Sequence, residues 1–404
     1  MTQTFADQKP TTSSGILRPF PQHVQCAPGS ILPNHRSQAQ LDDDARAFYD
    51  YWKESYLIDV GKTNAGDPLY RVAFGKESPT REKTVSEGQG YGMMITALMA
   101  GHDPDAQTIF DGLWNFCRLY PSHSDARLMT WHVPENSDGN NSAFDGDADM
   151  AYGLLLAAEQ WGNQGRIHYK NEAQTLITAI RESAIGPDSF MPLLGDWTDP
   201  NGQRYSQYTP RPSDFMLVNF RAYGKATNDP LWDEVVRKCH TVMQVIQAKH
   251  SPQTGLMPDF IVMRGTERTP EPSPAKFLES ENDCNYYYNA GRIPWRIGTD
   301  AILNNDLNSR AIAQKISRWA EQATGCSPAK FCAGYALDGT PLLGSDRFTS
   351  FFVAPMGVAA MTNPAQQDWL NAIYDSICSR RENYYEDSVT LFCLLAMSGN
   401  AWTL

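Results

Sequence analysis

Residues 147–161 read Asp-Ala-Asp-Met-Ala-Tyr-Gly-Leu-Leu-Leu-Ala-Ala-Glu-Gln-Trp, which indicates an unusual kind of helix. Wound at 3.6 residues per turn, the stretch has apolar side chains on almost every face. A helix that is apolar all round is buried all round, whereas a surface helix keeps one polar face. The stretch therefore predicts a helix in the interior of a larger helical assembly.

Helices of this buried type alternate along the chain with amphipathic helices that have one charged face. The amphipathic stretches are 41–57, 105–120, 167–184, 229–248, 307–323 and 364–378, and the apolar ones are 86–100, 147–161, 213–227, 288–304, 348–361 and 383–398. Strict alternation over six pairs predicts an all-α protein, an (α/α)₆ barrel of six outer and six inner helices. Pro355 is expected to kink or break the tenth helix.

Composition narrows the class of protein. The chain has 404 residues, of which 41% are hydrophobic, and no low-complexity linker divides it. We therefore expect one domain over residues 35–404, preceded by a polar lead over residues 1–34. The net charge of −12 and the lack of a basic stripe argue against nucleic acid as a partner. No apolar run approaches the 18 residues or so of a membrane span.

The cysteines and the first residues leave the cellular compartment of the protein open. Eight cysteines are scattered without a CxxC motif; Cys326 and Cys332 are near enough in sequence to pair, and most others are expected to be buried thiols. The first fifteen residues are polar and lack an apolar signal core. The protein is then either cytosolic or separated from a secretion signal that precedes this numbering.

Acidic residues gather at the predicted starts of the inner helices. Glu87 opens the second helix, Asp145 and Asp147 the fourth, and Asp214 the sixth, while 286–292 and 384–387 open the eighth and twelfth. Because the inner helices of such a barrel run in the same direction, these starts meet at one mouth. They predict a carboxylate-lined cleft.

A purely structural explanation competes with that cleft. Acids in the first turn complement the helix dipole and cap free N–H groups, and Ser86 with Gln89 fits a capping box. Gly88, Gly90 and Gly92 favour the site, because glycines cost helix stability and instead let another group approach the backbone closely.

Motifs for other chemistries are absent or incomplete. The series Asp145-x-Asp147-x-Asp149 begins like a calcium loop, but Met150 stands at the glycine position and Leu156 at the closing glutamate. The sequence has no GxSxG, no HExxH and no histidine pair at ligand spacing. We therefore expect no metal and no cofactor. Carboxylates beside aromatic rings remain, and two opposed carboxylates are the machinery of glycoside hydrolysis.

Two segments resemble glycoside hydrolase family 8, whose members are inverting (α/α)₆ enzymes that include endoglucanases, lichenases, xylanases and chitosanases. They are residues 85–93, Val-Ser-Glu-Gly-Gln-Gly-Tyr-Gly-Met, and residues 143–157, which lead into Trp161. The resemblance implies that Glu87 is the general acid and that Asp145 holds the sugar at the cleavage point. Residues 128–131, Leu-Met-Thr-Trp, are similar to the segment that supplies a stacking tryptophan, here Trp131.

Residues 288–296, Tyr-Asn-Ala-Gly-Arg-Ile-Pro-Trp-Arg, resemble the segment that carries the catalytic base in many members. The usual aspartate is Asn289 here, and an amide is not a useful base. A subfamily that includes chitosanases and lichenases has Asn at this place and takes a glutamate from the preceding loop. Its best match is Glu279, with Glu281 and Asp283 as alternatives. Arg292 is expected to help orient Asn289 and the water site, or alternatively to form a salt bridge across the mouth.

The resemblance implies an inverting, endo-acting hydrolase of β-1,4 linkages in chitosan, β-glucan or both. Tyr288, with its neighbours from Tyr286 on, is expected to stack on sugar rings. Asp214 stands where many members have tyrosine, and a carboxylate there could pair with the ammonium of glucosamine, which tilts the prediction toward chitosan. We expect a monomer, secreted or periplasmic, with a polysaccharide as its partner.

Three alternatives remain open. The first is a lichenase or endo-β-1,4-glucanase without activity on chitosan. The second is an inactive glycan-binding protein, which would follow if nothing replaced the missing aspartate. The third is a sugar epimerase on the same barrel, but that chemistry usually relies on histidines at the mouth, and no inner-helix start carries one.

Overall fold

The structure is a computed structural model that describes residues 15–135 and 139–404. In this part of the chain twelve α-helices follow one another: α1 (Gln38–Tyr56), α2 (Ser86–Leu98), α3 (Ala106–Cys117), α4 (Phe144–Trp161), α5 (Tyr169–Ser183), α6 (Leu217–Thr227), α7 (Leu231–Lys249), α8 (Ile293–Asn304), α9 (Leu307–Thr324), α10 (Ser350–Ala360), α11 (Gln367–Ile377) and α12 (Tyr384–Met397). Odd-numbered helices lie outside and even-numbered helices inside, so the predicted (α/α)₆ barrel is confirmed.

In the described residues, three antiparallel two-stranded sheets lie in the connections between helices. They pair β1 (Leu57–Lys62) with β2 (Pro68–Val72), β3 (Thr84–Val85) with β4 (His132–Val133), and β5 (Ile261–Arg264) with β6 (Thr269–Pro272). Strand β3 leads directly into α2, so its pairing with β4 lies beside the first turn of an inner helix. Within the described ranges, no helix is both long enough and apolar enough to cross a bilayer.

The two rings of helices differ in how many of their residues are buried. Every residue of α10 is buried, whereas α1 buries one stripe that includes Leu41, Ala45, Phe48 and Trp52. The inner ring closes where α12 meets α2, with the rings of Tyr91 and Phe392 5.4 Å apart. The alternation of apolar and amphipathic helices in the sequence thus reports which ring each helix belongs to.

The glycines of α2 serve helix packing. A Cβ atom at Gly90 would lie 2.7 Å from Cβ of Asp149 and 2.9 Å from the carbonyl oxygen of Gly146. One at Gly92 would lie 2.7 Å from Cγ2 of Val72. The predicted close approach is therefore made by α4 and by β2, which could not come so near a larger residue.

A capping box at the start of α2 and a break of the tenth helix at Pro355 are two local predictions that are wrong. The N-cap of α2 is Val85 and makes no side-chain capping bond, because the side chain of Gln89 instead accepts a hydrogen bond from the N–H of Val72 (2.7 Å). Pro355 does not break α10, which is continuous from Ser350 to Ala360. All of α10 is buried, and packing on every side outweighs the roughly 3 kcal/mol that an interior proline costs.

The lead described from residue 15 onward crosses the end of the barrel at which the inner helices finish. Its N–H groups donate to carbonyls at the ends of five inner helices or just after them: Leu17 to Gln160, Phe20 to Ala100, Val24 to Gly399, Ala27 to Ile302 and Ile31 to Met361, at 2.6–3.0 Å. This end is opposite the mouth. Residues 1–14, in which a signal core was sought, lie outside the described residues.

All eight cysteines are free thiols, so the pairing of Cys326 with Cys332 is wrong. Cys326 is exposed in a left-handed turn at the end of α9. Cys332 is buried after a short helical turn, Pro328–Lys330, which separates the two residues. Nearness in sequence therefore does not bring these thiols together.

Candidate active site

The starts of the inner helices meet at a cavity of about 760 Å³. Its polar lining includes Glu87, Asp145, Arg211, Glu279 and Asn289, and its apolar lining includes Phe74, Trp131, Trp197, Leu278, Tyr288 and Tyr385. Loops after α1, α3, α5 and α7 bring in the residues that do not belong to helices. Carboxylates and exposed aromatic rings thus share one cleft, as the alternation of helices predicts.

Glu87 lies in the first turn of α2 with its carboxyl largely buried. Oε2 accepts a hydrogen bond from Nη1 of Arg292 (2.8 Å), and Oε1 accepts one from the hydroxyl of Tyr384 (3.1 Å). Burial raises the pKa of Glu87 to about 7, with Arg292 opposing the shift and Asp145 adding to it. The carboxyl can therefore hold a proton near neutral pH and give it to a ligand in the cavity.

Asp145, in the first turn of α4, has the opposite protonation. Oδ2 accepts from Nη1 of Arg292 (2.7 Å) and pairs with Nη2 of Arg211 (3.1 Å). Burial alone would raise the pKa of Asp145, but the two guanidinium groups hold that pKa well below its ordinary value. The pKa values of two neighbouring carboxyl groups are thus shifted in opposite directions, up for Glu87 and down for Asp145, a pattern typical of sites that carry out acid–base chemistry.

Arg292 is almost fully buried and links the two sides of the mouth. Besides Glu87 and Asp145, it contacts Ser213 and Asn289, because Nη2 donates to Oγ of Ser213 (2.9 Å) and to Oδ1 of Asn289 (3.1 Å). Arg292 therefore contacts Glu87 and Asp145 on one side of the mouth and Asn289 on the other, and its expected role in the reaction stays a prediction.

Asn289 and Glu279 form the other side of the cavity. Nδ2 of Asn289 donates to Oε2 of Glu279 (2.7 Å), while Oδ1 of Asn289 faces Nη1 of Arg211 (3.4 Å). The Glu279 carboxylate is about half exposed, and its Oε1 lies 3.7 Å from Nη1 of Arg211. An aspartate at position 289 would set two carboxylates against each other, so the amide suits its neighbour.

The two alternatives to Glu279 lie elsewhere. Glu281 is exposed and pairs with Nζ of Lys276 at 2.5 Å. Asp283 is fully buried and accepts hydrogen bonds from the N–H groups of Leu278, Glu279 and Ser280 (2.7, 2.9 and 2.8 Å). Neither lines the cavity.

Asp214 does not reach the cavity, which corrects the expectation that it meets an ammonium group of the substrate. It is fully buried, and both of its oxygens accept from Nε of Arg211 (3.1 and 3.0 Å). Burial raises the pKa of Asp214 to about 6, and Arg211 opposes that shift. Asp147 also turns inward, where it accepts from the N–H of Met129 (2.9 Å).

The expected aromatic residues divide between cleft and core. Trp131 and Tyr288 line the cavity, although one face of Tyr288 stacks on Phe351 at 5.3 Å. Tyr286, expected to belong to the same stacking cluster, is fully buried, so that expectation is wrong. Its N–H bonds to the carbonyl of Tyr335, which turns the ring into the core.

Sequence reasoning missed several residues of the lining, among them Arg211, Phe74, Trp197 and Tyr385. Phe74 and Trp197 are 42% and 37% exposed and stand in irregular loops without a hydrophobic period. Arg211 directly precedes the turn that opens α6, and a cation at that place among so many acids was a usable signal. Tyr385 lies in the acidic start of α12, a segment assigned to the mouth as a whole.

One cluster in the described residues has the atom types of a metal site, namely His240, Asp300 and Asp306. Arg221 pairs with both carboxylates of this cluster: Nε donates to Asp300 (2.8 Å) and Nη2 to Asp306 (2.8 Å). The cluster is therefore an ion-pair network that ties α6 to the start of α9, away from the mouth.

The sequence is similar to those of known glycoside hydrolases. The profile of Glycosyl hydrolases family 8 matches residues 35–399. The Beta-glucanase of Niallia circulans is 41% identical over 392 residues, which cover 96% of this chain and 91% of that protein. The Endoglucanase of Bacillus sp. (strain KSM-330) is 38% identical over 392 residues, which cover 96% and 82%.

Solved structures support the fold. The apo structure of Beta-1,3-1,4-glucanase from Paenibacillus sp. X4 matches with a TM-score of 0.90 and 39% identity, over 96% of this chain and 100% of that one. Rex8A from Paenibacillus barcinonensis, complexed with xylose, matches with a TM-score of 0.72 and 18% identity, over 92% and 97%. The second likeness concerns the barrel alone.

Proposed function

Because the chain belongs to glycosyl hydrolase family 8, we propose that it is an inverting, endo-acting hydrolase of β-1,4 linkages in β-glucan. One observation carries the proposal: Glu87, a buried carboxyl whose pKa is raised to about 7, and Glu279, a solvent-accessible carboxyl, line the same cavity. Two carboxyl groups in one cleft are what glycoside hydrolysis requires, and the inverting outcome is what the resemblance to the family implies. Relatives named beta-glucanase and endoglucanase support the polymer class.

In the acid step, Glu87 donates its proton to the glycosidic oxygen as the bond to the anomeric carbon breaks. Arg292 and the hydroxyl of Tyr384 hold the Glu87 carboxyl in place, and their hydrogen bonds stabilise the carboxylate that forms. Positive charge that develops on the sugar ring is stabilised by Asp145, which stays ionised between its two arginines.

In the same displacement, Glu279 removes a proton from a water molecule, and the water oxygen bonds to the anomeric carbon on the face opposite to the leaving group as the glycosidic bond breaks. Asn289 holds the Glu279 carboxylate through Nδ2. Since Asn289 is itself held by Arg292, which also binds Glu87, one chain of hydrogen bonds joins the acid to the base. Both carboxyl groups are then positioned by the same buried guanidinium.

Chitosan is the weaker substrate candidate. Asp214, the carboxylate expected to bind an ammonium group, instead accepts hydrogen bonds from Arg211 and does not line the cavity. The acids that do line the cavity are Glu87, Asp145 and Glu279. Only the net charge of −12 still favours a cationic polymer. We expect the enzyme to act outside the cytoplasm, because polymeric glucan does not cross a membrane.

Release of reducing ends from mixed-linkage β-glucan, carboxymethylcellulose and chitosan tests the substrate. We expect turnover of the first two and a rapid fall in viscosity, which marks internal cleavage. Cleavage of chitosan alone would move the substrate to glucosamine polymers. Lack of turnover on all three would overturn the proposal.

Three matched variants on mixed-linkage β-glucan test the catalytic groups. Glu87→Gln and Glu279→Gln are each expected to lower kcat by at least about 10²–10⁴-fold, the usual contribution of a proton-transfer group. Glu281→Gln, on the same loop as Glu279 but outside the cavity, should keep activity. NMR of fresh product should show the α anomer, and a retained β anomer would contradict inversion.

A further inference from the structure

The loop that carries Glu279 is organised by a buried carboxylate below it. Asp283 accepts three successive backbone N–H groups, those of residues 278, 279 and 280, and also the hydroxyl of Ser280 (3.2 Å). It is fully buried, so no solvent competes for these bonds. A carboxylate that accepts several backbone N–H groups fixes a turn that has no regular secondary structure.

The turn that carries Asn289 is organised in the same way by Asp259. Oδ1 of Asp259 accepts the N–H groups of Tyr287 (3.1 Å), Asn289 (3.2 Å) and Ala290 (2.7 Å). The residue is 2% exposed. Burial raises the pKa of Asp259 to about 7, and the backbone donors oppose that shift.

The two carboxylates belong to one unit of structure. The N–H of Asp259 donates to the carbonyl of Asn285 (2.8 Å), and the N–H of Phe260 donates to the carbonyl of Asp283 (3.0 Å). Residues 259–260 therefore pair with residues 283–285, the part of the chain that connects the loop of Glu279 to the turn of Asn289. Moving either carboxylate would change the spacing of Glu279 and Asn289.

We propose that Asp259 and Asp283 are positioning residues of the hydrolysis: together they hold the Glu279 carboxylate and the Asn289 amide at hydrogen-bonding distance before substrate binds. The inference rests on the proposed function, since it presumes that Glu279 is the base. Neither residue lines the cavity, so both act only through the groups that they place. Misplacing a reacting group by about 1 Å can cost about 10²-fold in rate.

Asp283→Asn and Asp259→Ala test the inference. Both oxygens of Asp283 accept backbone N–H groups, so an amide there presents an NH₂ group to at least one donor and loses that bond. All three donors to Asp259 meet the single oxygen Oδ1, which an asparagine would keep, so alanine is needed to remove these bonds. We expect kcat on mixed-linkage β-glucan to fall about 10–10²-fold, with KM changed less than about threefold. Glu281→Gln is the matched control on the same loop. Melting temperatures show which variants remain folded.

A double-mutant cycle separates positioning from a general structural role. In Glu279→Ala with sodium azide, the azide nitrogen bonds to the anomeric carbon, the glycosidic C–O bond breaks, and Glu87 gives its proton to the leaving oxygen. No base is needed, so the position of the loop no longer matters. Adding Asp283→Asn should then cost less than about threefold in glycosyl azide formation.

The outcomes distinguish a failure of the positioning inference from a failure of the proposed base. An Asp283→Asn enzyme with unchanged kcat, or an equal loss in both backgrounds of the cycle, overturns the inference. An active Glu279→Gln enzyme overturns the proposed base instead, whatever the cycle shows. If Asp283→Asn does not fold, Ser280→Ala removes one bond to Asp283, and a kcat equal to that of the unmodified enzyme would count against the inference.

Discussion

The side-chain nitrogen Nδ2 of Asn289 lies 2.7 Å from Oε2 of Glu279. The amide can donate to a carboxylate at this distance, whereas a carboxylate in the same place could not, unless it held a proton. Positions 279 and 289 are therefore chemically matched: the glutamate from the loop is paired with an asparagine from the helix start.

The substitution Asn289→Asp tests this match. Two carboxylates in contact share a proton, because like charges at that distance cannot both ionise easily. We expect lower kcat than in the unmodified enzyme, with the largest loss at acidic pH, where the shared proton blocks the base. Assays from pH 5 to 8 on mixed-linkage β-glucan check this, and activity equal to or above that of the parent would contradict it.

The raised pKa of Glu87 predicts the alkaline side of the pH profile. The acid must be protonated to act, so kcat/KM should fall as pH rises through about 7, the pKa of the buried carboxyl. The profile of the unmodified enzyme measures this. A plateau that extends to pH 9 would show that Glu87 does not limit the reaction in this way.

The same shift predicts a stability effect of Glu87→Gln. The folded-state pKa of about 7 lies above the unfolded value of about 4.3, so the fold favours the protonated form. Ionising Glu87 therefore costs stability, a penalty that is absent below pH 4 and complete above about pH 7. The melting temperature of Glu87→Gln should exceed that of the parent at pH 8 and match it at pH 4. A lower melting temperature at pH 8 would contradict this.

Asp214→Asn should impair all substrates alike. Asp214 binds Arg211, which faces Asp145, Glu279 and Asn289, so its loss loosens the site without removing a contact to the sugar. We expect kcat/KM on mixed-linkage β-glucan and on carboxymethylcellulose to fall by the same factor. The comparison includes chitosan if the unmodified enzyme cleaves it, and a loss confined to chitosan would restore Asp214 as an ammonium ligand.

Trp197→Ala should raise KM more than it lowers kcat. The ring is 37% exposed in the cavity lining, where it offers a face for a sugar to stack on. Loss of about 0.5–1.5 kcal/mol of aromatic contact corresponds to a rise of roughly two- to tenfold in KM. Leu307→Ala is a control, because Leu307 is exposed outside the cavity. An unchanged KM would place substrate elsewhere in the cleft.

The sequence by itself determined the barrel and the place of its mouth. Alternating apolar and amphipathic helices report burial, and burial follows directly from side-chain chemistry, so all twelve helices could be predicted to within a few residues. The same pattern placed Glu87 and Asp145 at inner-helix starts, which meet at one end for any sequence with this fold.

Only the tertiary structure decided what each acid at the mouth contacts. Asp214 and Glu279 are both acids near the start of an inner helix or in the loop before it. Asp214 is nevertheless buried against Arg211, whereas Glu279 faces the cavity. The difference arises from contacts between residues far apart in the chain, such as Asn289 with Arg211, and no local pattern encodes them. Loops without a hydrophobic period, which carry Phe74 and Trp197, take their course from packing alone.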